Sequence, residues 1–199
     1  LTAMSTGADD FLTKPIQPQH LISSISIRAE RMRILRSIMQ CDSLTGLLNH
    51  TKTKEQLDIA VERANRQKVK LSFAMIDLDR FKSINDTYGH PVGDRVLVSL
   101  SKLLQQRLRK TDVIGRYGGE EFAVILSDTD DESARSVMDE IRISFGKIGH
   151  RAESGEFSAT LSCGLASFPA YKDSTSLIEA ADKALYLAKN EGRNRVVQV

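Results

Sequence analysis

Arg116-Tyr117-Gly118-Gly119-Glu120-Glu121-Phe122 is the stretch that decides how this chain is read. Two adjacent glycines separate two runs with strand character, 112–117 and 120–126. A two-residue Gly-Gly loop predicts a tight β-hairpin, because such a turn needs φ > 0, which glycine adopts without steric cost. Glu120 and Glu121 follow at once. Hairpin geometry does not ask for adjacent like charges at the start of a strand, where they repel. Beside a bare backbone turn they suit a divalent cation that arrives together with a phosphate group.

Working outward, Leu71-Ser72-Phe73-Ala74-Met75-Ile76 is a short apolar run that ends in Asp77-Leu78-Asp79. The order then reads as strand 71–77, helix 92–109, strands 112–117 and 120–126, helix 131–145 and strand 158–167. The fold class is α+β, a split β-α-β-β-α-β with a mostly antiparallel central sheet. In that topology the first strand runs antiparallel to the third. The end of one, Asp77, then meets the start of the other, Glu120. From spacing alone, Asp77 and Asp79 read equally well as a polar strand end.

Other motifs fall in order around this core. Asp42-Ser43-Leu44-Thr45-Gly46-Leu47-Leu48-Asn49 opens the segment, and Asp77-Leu78-Asp79-Arg80-Phe81-Lys82 carries the acidic strand end. Asn85-Asp86-Thr87-Tyr88-Gly89-His90 with Gly93-Asp94 comes next. Ala181-Asp182-Lys183-Ala184-Leu185-Tyr186-Leu187-Ala188-Lys189 with Gly192-Arg193-Asn194 closes it. With the signature Gly118-Gly119-Glu120-Glu121-Phe122, this set resembles the GGDEF-family diguanylate cyclases over residues 41–199. The resemblance implies a ferredoxin-like, nucleotidyl-cyclase palm. One motif departs from the family: the opening usually ends Asn-Arg, and here it ends Asn49-His50.

The resemblance also implies roles. Asp77, the backbone carbonyl of Leu78, and Glu120 would hold Mg²⁺ or Mn²⁺, two ions per active site. Glu120 or Glu121 would help take the proton of the ribose 3′-hydroxyl. Phe81 and Lys82 would cradle phosphates, and Lys189 with Arg193 would reach the β- and γ-phosphates. Asn85 and Asp94 would read guanine, since a carboxylate accepts from its N1–H and N2–H together and adenine offers no such pair. A fully buried Asp94 would favour GTP about 10⁴-fold. Asp94 also reads as the cap of a helix starting near Arg95. Lys189 and Arg193, at i and i+4, would share one helix face. Arg109-Lys110-Thr111-Asp112 resembles the family's inhibitory RxxD site. Arg142 and Arg135 are both candidates for its third arginine, with Glu140 between them.

The function implied is condensation of two GTP into cyclic di-GMP and two pyrophosphates by a homodimer, with feedback by the product. The alternative is an inactive domain that senses cyclic di-GMP through Arg109 and Asp112. Asp79 is expected to be structural. No Walker sequence is present, and Phe81 and Lys82 stand where a calcium loop would need a ligand and a glycine.

Composition fits a cytoplasmic module. Lys+Arg 28 against Asp+Glu 26 gives a net charge of +2, so no global field calls for nucleic acid. Two cysteines are too few for a disulfide scaffold, and Cys163 reads as a buried thiol. No apolar run approaches the ~20 residues of a membrane span. Residues 1–17 contain Gly7-Ala8-Asp9-Asp10-Phe11-Leu12-Thr13-Lys14-Pro15, which resembles the tail of a response-regulator receiver domain; the strand with a phosphoacceptor aspartate is absent. Residues 18–40 read as one helix, the last of the receiver continuing as a signalling helix. Leu21, Ile25, Arg28, Met32, Leu35 and Met39 make a heptad seam with one polar member; up to about Ile27 the helix is expected to pack on the receiver, and beyond it to pair in a dimer.

Overall fold

The computed structural model describes residues 18–153 and 155–199, so the receiver-tail expectation for 1–17 lies outside the described residues. The chain divides into two units, Leu1–Gln40 and Cys41–Val199. In the first, α1 (Pro18–Gln40) leaves Ile25, Met32 and Leu35 of the seam more than half exposed, at 57%, 51% and 52%. Among the described residues no helix is long and apolar enough to cross a membrane.

The second unit runs α2 (His50–Gln67), β1 (Leu71–Leu78), α3 (Phe81–Tyr88), α4 (His90–Arg107), β2 (Val113–Arg116), β3 (Glu121–Ser127) and α5 (Asp131–Gly146). It continues with β4 (His150–Ala152), β5 (Gly155–Phe157), β6 (Leu161–Phe168), α6 (Ser174–Asn190) and β7 (Val196–Gln198). The main sheet has the order β2-β3-β1-β6-β7, and β4 pairs with β5 apart from it. All its pairings are antiparallel except β6 with β7. The split topology read from the sequence is therefore present, with α2, α3, the β4–β5 ribbon, α6 and β7 added to it.

β1 is buried at every residue because it lies between β3 and β6 with helices on both faces. Its side chains alternate between two cores. Ala74, Ile76 and Leu78 join Phe122, Val124 and Leu126 of β3 under α4 and α5. Leu71, Phe73 and Met75 join Ala123 and Ile125 under α2 and α6. Truncating a fully buried ring such as Phe73 or Phe122 costs about 3–5 kcal/mol at sites of this kind. α6 approaches β6 so closely that a Cβ at Gly164 would meet the backbone of Ala181 and Leu185. Cys163 is fully buried, and burial pushes its thiol far above the ordinary value, which makes it inert.

Four expectations are corrected. The Gly118-Gly119 turn contains no positive φ. The loop is wider than two residues: Tyr117 and Gly118 N–H both donate to the Glu121 carbonyl, at 2.8 and 3.2 Å. Asp77 pairs across the ladder with Glu121 rather than Glu120, while the Leu78 N–H donates to the Glu120 carbonyl at 3.3 Å. The wider loop keeps Glu120 off the strand, which moves the register by one. α4 starts at His90, with Gly89 (φ 83) as its cap, so Asp94 lies inside the helix and does not cap it. Lys189 and Arg193 do not share a helix face. α6 ends at Asn190, Gly192 turns at φ 111, and Arg193 adopts φ 63 with its N–H on the Ala188 carbonyl at 3.0 Å. That six-to-one bond is the usual way a helix end satisfies its last carbonyls.

Candidate active site

The parity of the strands builds the site. Odd-numbered residues of β1 and β3 face α6, so Asp77 and Glu121, directly opposed in the ladder, both project to that side. Asp77 is buried, 4% exposed. The Lys189 ammonium of α6 sits on its Oδ2 at 2.8 Å. Burial pushes the Asp77 carboxyl up against the pull of Lys189. Burial, then the charge of Asp77, raises Glu120 and Glu121 as well. The carboxyl of Asp182, about two α6 turns before Lys189, is also raised by burial, although the residue as a whole is exposed. Tyr117 is raised by burial and then by Asp182 and Glu121. Asp77, Glu120, Glu121 and Asp182 thus share a single field with Lys189, and Asp79 and Arg193 act on Asp77 more weakly.

These residues fit a hard divalent cation. Protons and one lysine offset the repulsion of Asp77, Glu120 and Glu121 only in part, and a 2+ ion would do so more fully. Among the described residues no three His, Cys, Asp or Glu side chains enclose a point as a closed metal cage. That matches Mg²⁺, which is commonly held by one or two carboxylates together with substrate phosphates and water.

Asp79 is spent on structure. It accepts from Thr160 Oγ1 and Ser162 Oγ, each at 2.7 Å, and from the Asn194 N–H at 3.0 Å. It thereby ties the end of β1 to β6 and to the turn after α6.

The turn itself is held by two residues to which sequence reasoning gave no role. Arg116 Nη1 donates to both carboxylate oxygens of Asp42, at 3.1 and 3.0 Å. Its Nε and Nη2 donate to the Gly119 carbonyl, at 3.1 and 2.6 Å. Asp42 is itself oriented by Thr45, whose N–H and hydroxyl donate at 2.8 and 2.6 Å. Burial opposes these bonds, but the bonds win and hold the Asp42 carboxyl below its ordinary value. A Cβ at Gly118 would meet only the tip of the Glu121 side chain, which can swing aside. The His50 ring packs on Tyr117 with centroids 4.3 Å apart, where the family usually has arginine.

The remaining predicted residues fall in two places. Phe81 is buried and Lys82 exposed at the start of α3, directly after the acidic strand end. Asn85 lies in α3 with its side chain against Gly93, where a Cβ would strike its amide. Asp94 is exposed and lines a cleft with Leu44, Arg95, Val98, Ser99 and Lys102. Arg109 and Asp112 stand at the other end of β2 from the Gly-Gly turn, with Arg109 exposed. Asp112 Oδ2 accepts from the Arg109 N–H at 2.9 Å. Arg142 is engaged with Asp139 and with Asn194.

A family model described as "Diguanylate cyclase, GGDEF domain" matches residues 39–195. The diguanylate cyclase DgcP of Pseudomonas aeruginosa is 39% identical over 155 residues, 78% of this chain and 23% of that protein. The response regulator PleD of Caulobacter vibrioides is 36% identical over 210 residues, 98% of this chain and 46% of that protein. This chain therefore spans less than half the length of these relatives. The coiled coil and GGDEF domain of DgcB from Caulobacter crescentus, solved in complex with c-di-GMP, superposes with a TM-score of 0.82 at 29% identity. That match covers 91% of this chain and 98% of that one. The motifs, the palm topology and these matches agree, and the chain belongs to the GGDEF family of diguanylate cyclase domains.

Proposed function

We propose that this domain condenses two GTP into cyclic di-GMP, releasing two pyrophosphates. The observation that carries the reading is the opposition of Asp77 and Glu121 in the β1–β3 ladder, with Glu120 on the adjoining turn and all three carboxyls raised. Asp77, the Leu78 carbonyl and Glu120 would hold the metal ions, two Mg²⁺ or Mn²⁺ per site. When bound, the metal offsets charge on the triphosphate and lowers the pKa of the 3′-hydroxyl. Phe81 and Lys82 at the start of α3 cradle phosphates. Lys189, now paired with Asp77, would serve the β- and γ-phosphates, with Arg193 as a second cation. Asn85 and Asp94 read the guanine edge.

Each site holds one GTP, so two copies must face each other. The 3′-oxygen of one nucleotide attacks the α-phosphorus of the other in line, forming one P–O bond as the bond to pyrophosphate breaks. The 3′-proton passes to Glu120 or Glu121. Exposed Ile25, Met32 and Leu35 of α1 supply an apolar seam for the dimer. An upstream receiver domain, of which residues 1–17 are the tail, would control that pairing. Product binding at Arg109 and Asp112 slows synthesis by holding the domains apart.

The test is incubation of the purified chain with GTP and Mg²⁺, with chromatographic identification of the product over a range of protein concentrations. Cyclic di-GMP, formed at a specific rate that climbs with protein concentration, is the expected result. Cyclic di-GMP binding without any turnover would replace the enzyme with the sensor reading.

A further inference from the structure

The β4–β5 ribbon has no place in the main sheet and only three residues in each strand. A ribbon that short is marginal by itself and must be held by packing. It packs on one region. The ring of Phe157 in β5 stacks on Tyr88, the last residue of α3, with centroids 4.2 Å apart and planes 8° from parallel. His150, cross-strand partner of Phe157, is buried between Phe157 and Phe145 of α5, with centroids 5.5 and 5.8 Å away. The Arg95 guanidinium of α4 donates to the Arg151 carbonyl of β4 at 2.9 Å.

These contacts straddle one turn. Tyr88 immediately precedes Gly89, where the chain bends at φ 83 from α3 into α4. Arg95 immediately follows Asp94. Asn85 lies three residues before Tyr88 in α3, and its carbonyl takes the Gly89 N–H at 2.8 Å. Its side chain rests on Gly93. The ribbon therefore grips the α3–α4 corner on both sides of the Gly89 bend, through Tyr88 before it and Arg95 after it.

We infer that the β4–β5 ribbon, through the Phe157–Tyr88 stack and the Arg95–Arg151 bond, is the brace that sets nucleotide selectivity by fixing the distance between Asn85 and Asp94. Phe157 is a positioning residue, acting through Tyr88. The inference rests on Asn85 and Asp94 being the guanine contacts. Two hydrogen-bonding groups on separate helices can read one base edge only if the corner between the helices is rigid, because small misplacement costs them both bonds. Loss of the stack should then weaken GTP more than ATP, since ATP does not use the pair.

The experiment measures Mg²⁺–GTP and Mg²⁺–ATP affinity, together with kcat and KM for GTP, in the parent, Phe157→Leu, Phe157→Tyr and Tyr88→Leu. Leucine keeps the apolar volume and removes the ring. Phe157→Leu should weaken GTP about three- to tenfold, the scale of one aromatic pair, with ATP and kcat almost unchanged. Phe157→Tyr should restore the parent values. Tyr88→Leu should repeat the effect, and the double variant should lose no more than either single one. A lowered melting temperature with an unchanged GTP/ATP ratio would make the ribbon mere packing and overturn the inference. So would additive losses in the double variant. A parent that binds GTP no better than ATP would instead remove the guanine reading itself, and this brace along with it.

Discussion

The two ends of the β1–β3–β2 ladder are built on opposite terms. At the Asp77–Glu121 end, carboxylates face one another on the buried side of the sheet under α6, and burial raises their pKa values. At the far end of β2, Asp112 folds back on the Arg109 backbone, accepting its N–H at 2.9 Å and donating to its carbonyl at 3.0 Å. Arg109 extends into solvent there, and Asp112 Oδ1 is buried without a hydrogen-bond partner among the described residues. The first end stores repulsion that a cation relieves. The second is a turn satisfied by its own backbone that leaves an arginine fork and one carboxylate oxygen to spare. Within a few strand residues, one chain thus carries an end where carboxylates repel one another and an end where a single carboxylate is held by the backbone through one of its two oxygens.

Removing a charge from the first end is the largest test of this contrast. Glu120→Gln should cut cyclic di-GMP synthesis by more than about a hundredfold, several kcal/mol of lost charge stabilisation, while the fold stays intact. The same change should raise the melting temperature without Mg²⁺, since it relieves repulsion, and shrink the rise that Mg²⁺ produces. Synthesis within about tenfold of the parent would take Glu120 out of the metal site.

Protons probe the same end. Asp77, Glu120 and Glu121 have folded-state values raised above the ordinary 3.8 and 4.5. Between the ordinary and the raised values the folded chain binds more protons than the unfolded one, so these groups destabilise the ion-free fold as pH rises. Lowering pH from neutral through the raised values should stabilise the ion-free protein. It should weaken Mg²⁺ binding at the same time, because the ion needs the deprotonated carboxylates. Thermal melts with and without Mg²⁺ should therefore converge as pH falls toward the ordinary carboxylate range. Parallel curves would mean that Asp77 and Glu120 do not bind the ion.

A middle-sized effect lies in the clamp on the turn, beside the first end. The Arg116–Asp42 pair is 16% and 21% exposed and uses the whole guanidinium fork, two bonds to Asp42 and two to Gly119. Lysine offers a point charge and cannot span both partners. Arg116→Lys should cost about 1–2 kcal/mol of stability and lower kcat about tenfold. KM for GTP should hardly move, since the clamp positions the turn and does not touch the nucleotide. An unchanged kcat would mean that Gly118 and Gly119 hold their place without it.

These expectations depended unequally on the sequence. β1 and β3 were legible because a strand buried on both faces is a continuous apolar run, and Asp77 ends one such run abruptly. Their pairing followed from topology, but its register came out one residue off, because the Gly-Gly pair was read as a tight turn. Neither glycine adopts positive φ there, and the extra loop residue that shifts the register is set by the Tyr117 and Gly118 bonds to the Glu121 carbonyl, which have no local signature. Arg116 and Asp42 are 74 positions apart, so nothing in either segment announced the clamp. The two three-residue strands of the ribbon are too short to show a period. α2 could have been found from Thr53, Leu57, Val61 and Ala64, which recur at helical spacing on its buried face.

The smallest effect on basal rate, and the sharpest on the contrast, belongs to the far end. Arg109 lies at the opposite end of β2 from the turn, so Arg109→Ala should leave the initial rate of synthesis nearly unchanged. It should abolish inhibition by added cyclic di-GMP. The inhibition in the parent should be non-competitive with GTP, since the two sites share a sheet but not a surface. By linkage, the product prefers the inhibited arrangement by the free energy with which it inhibits, about 1–3 kcal/mol for ordinary coupling. The product should accordingly bind the parent more weakly when GTP is held in the facing arrangement. Initial rates over a range of GTP at several fixed cyclic di-GMP concentrations decide between the outcomes. Equal inhibition in parent and variant would mean that the product acts elsewhere, and competitive inhibition would place it in the GTP site, collapsing the two ends of the ladder into one.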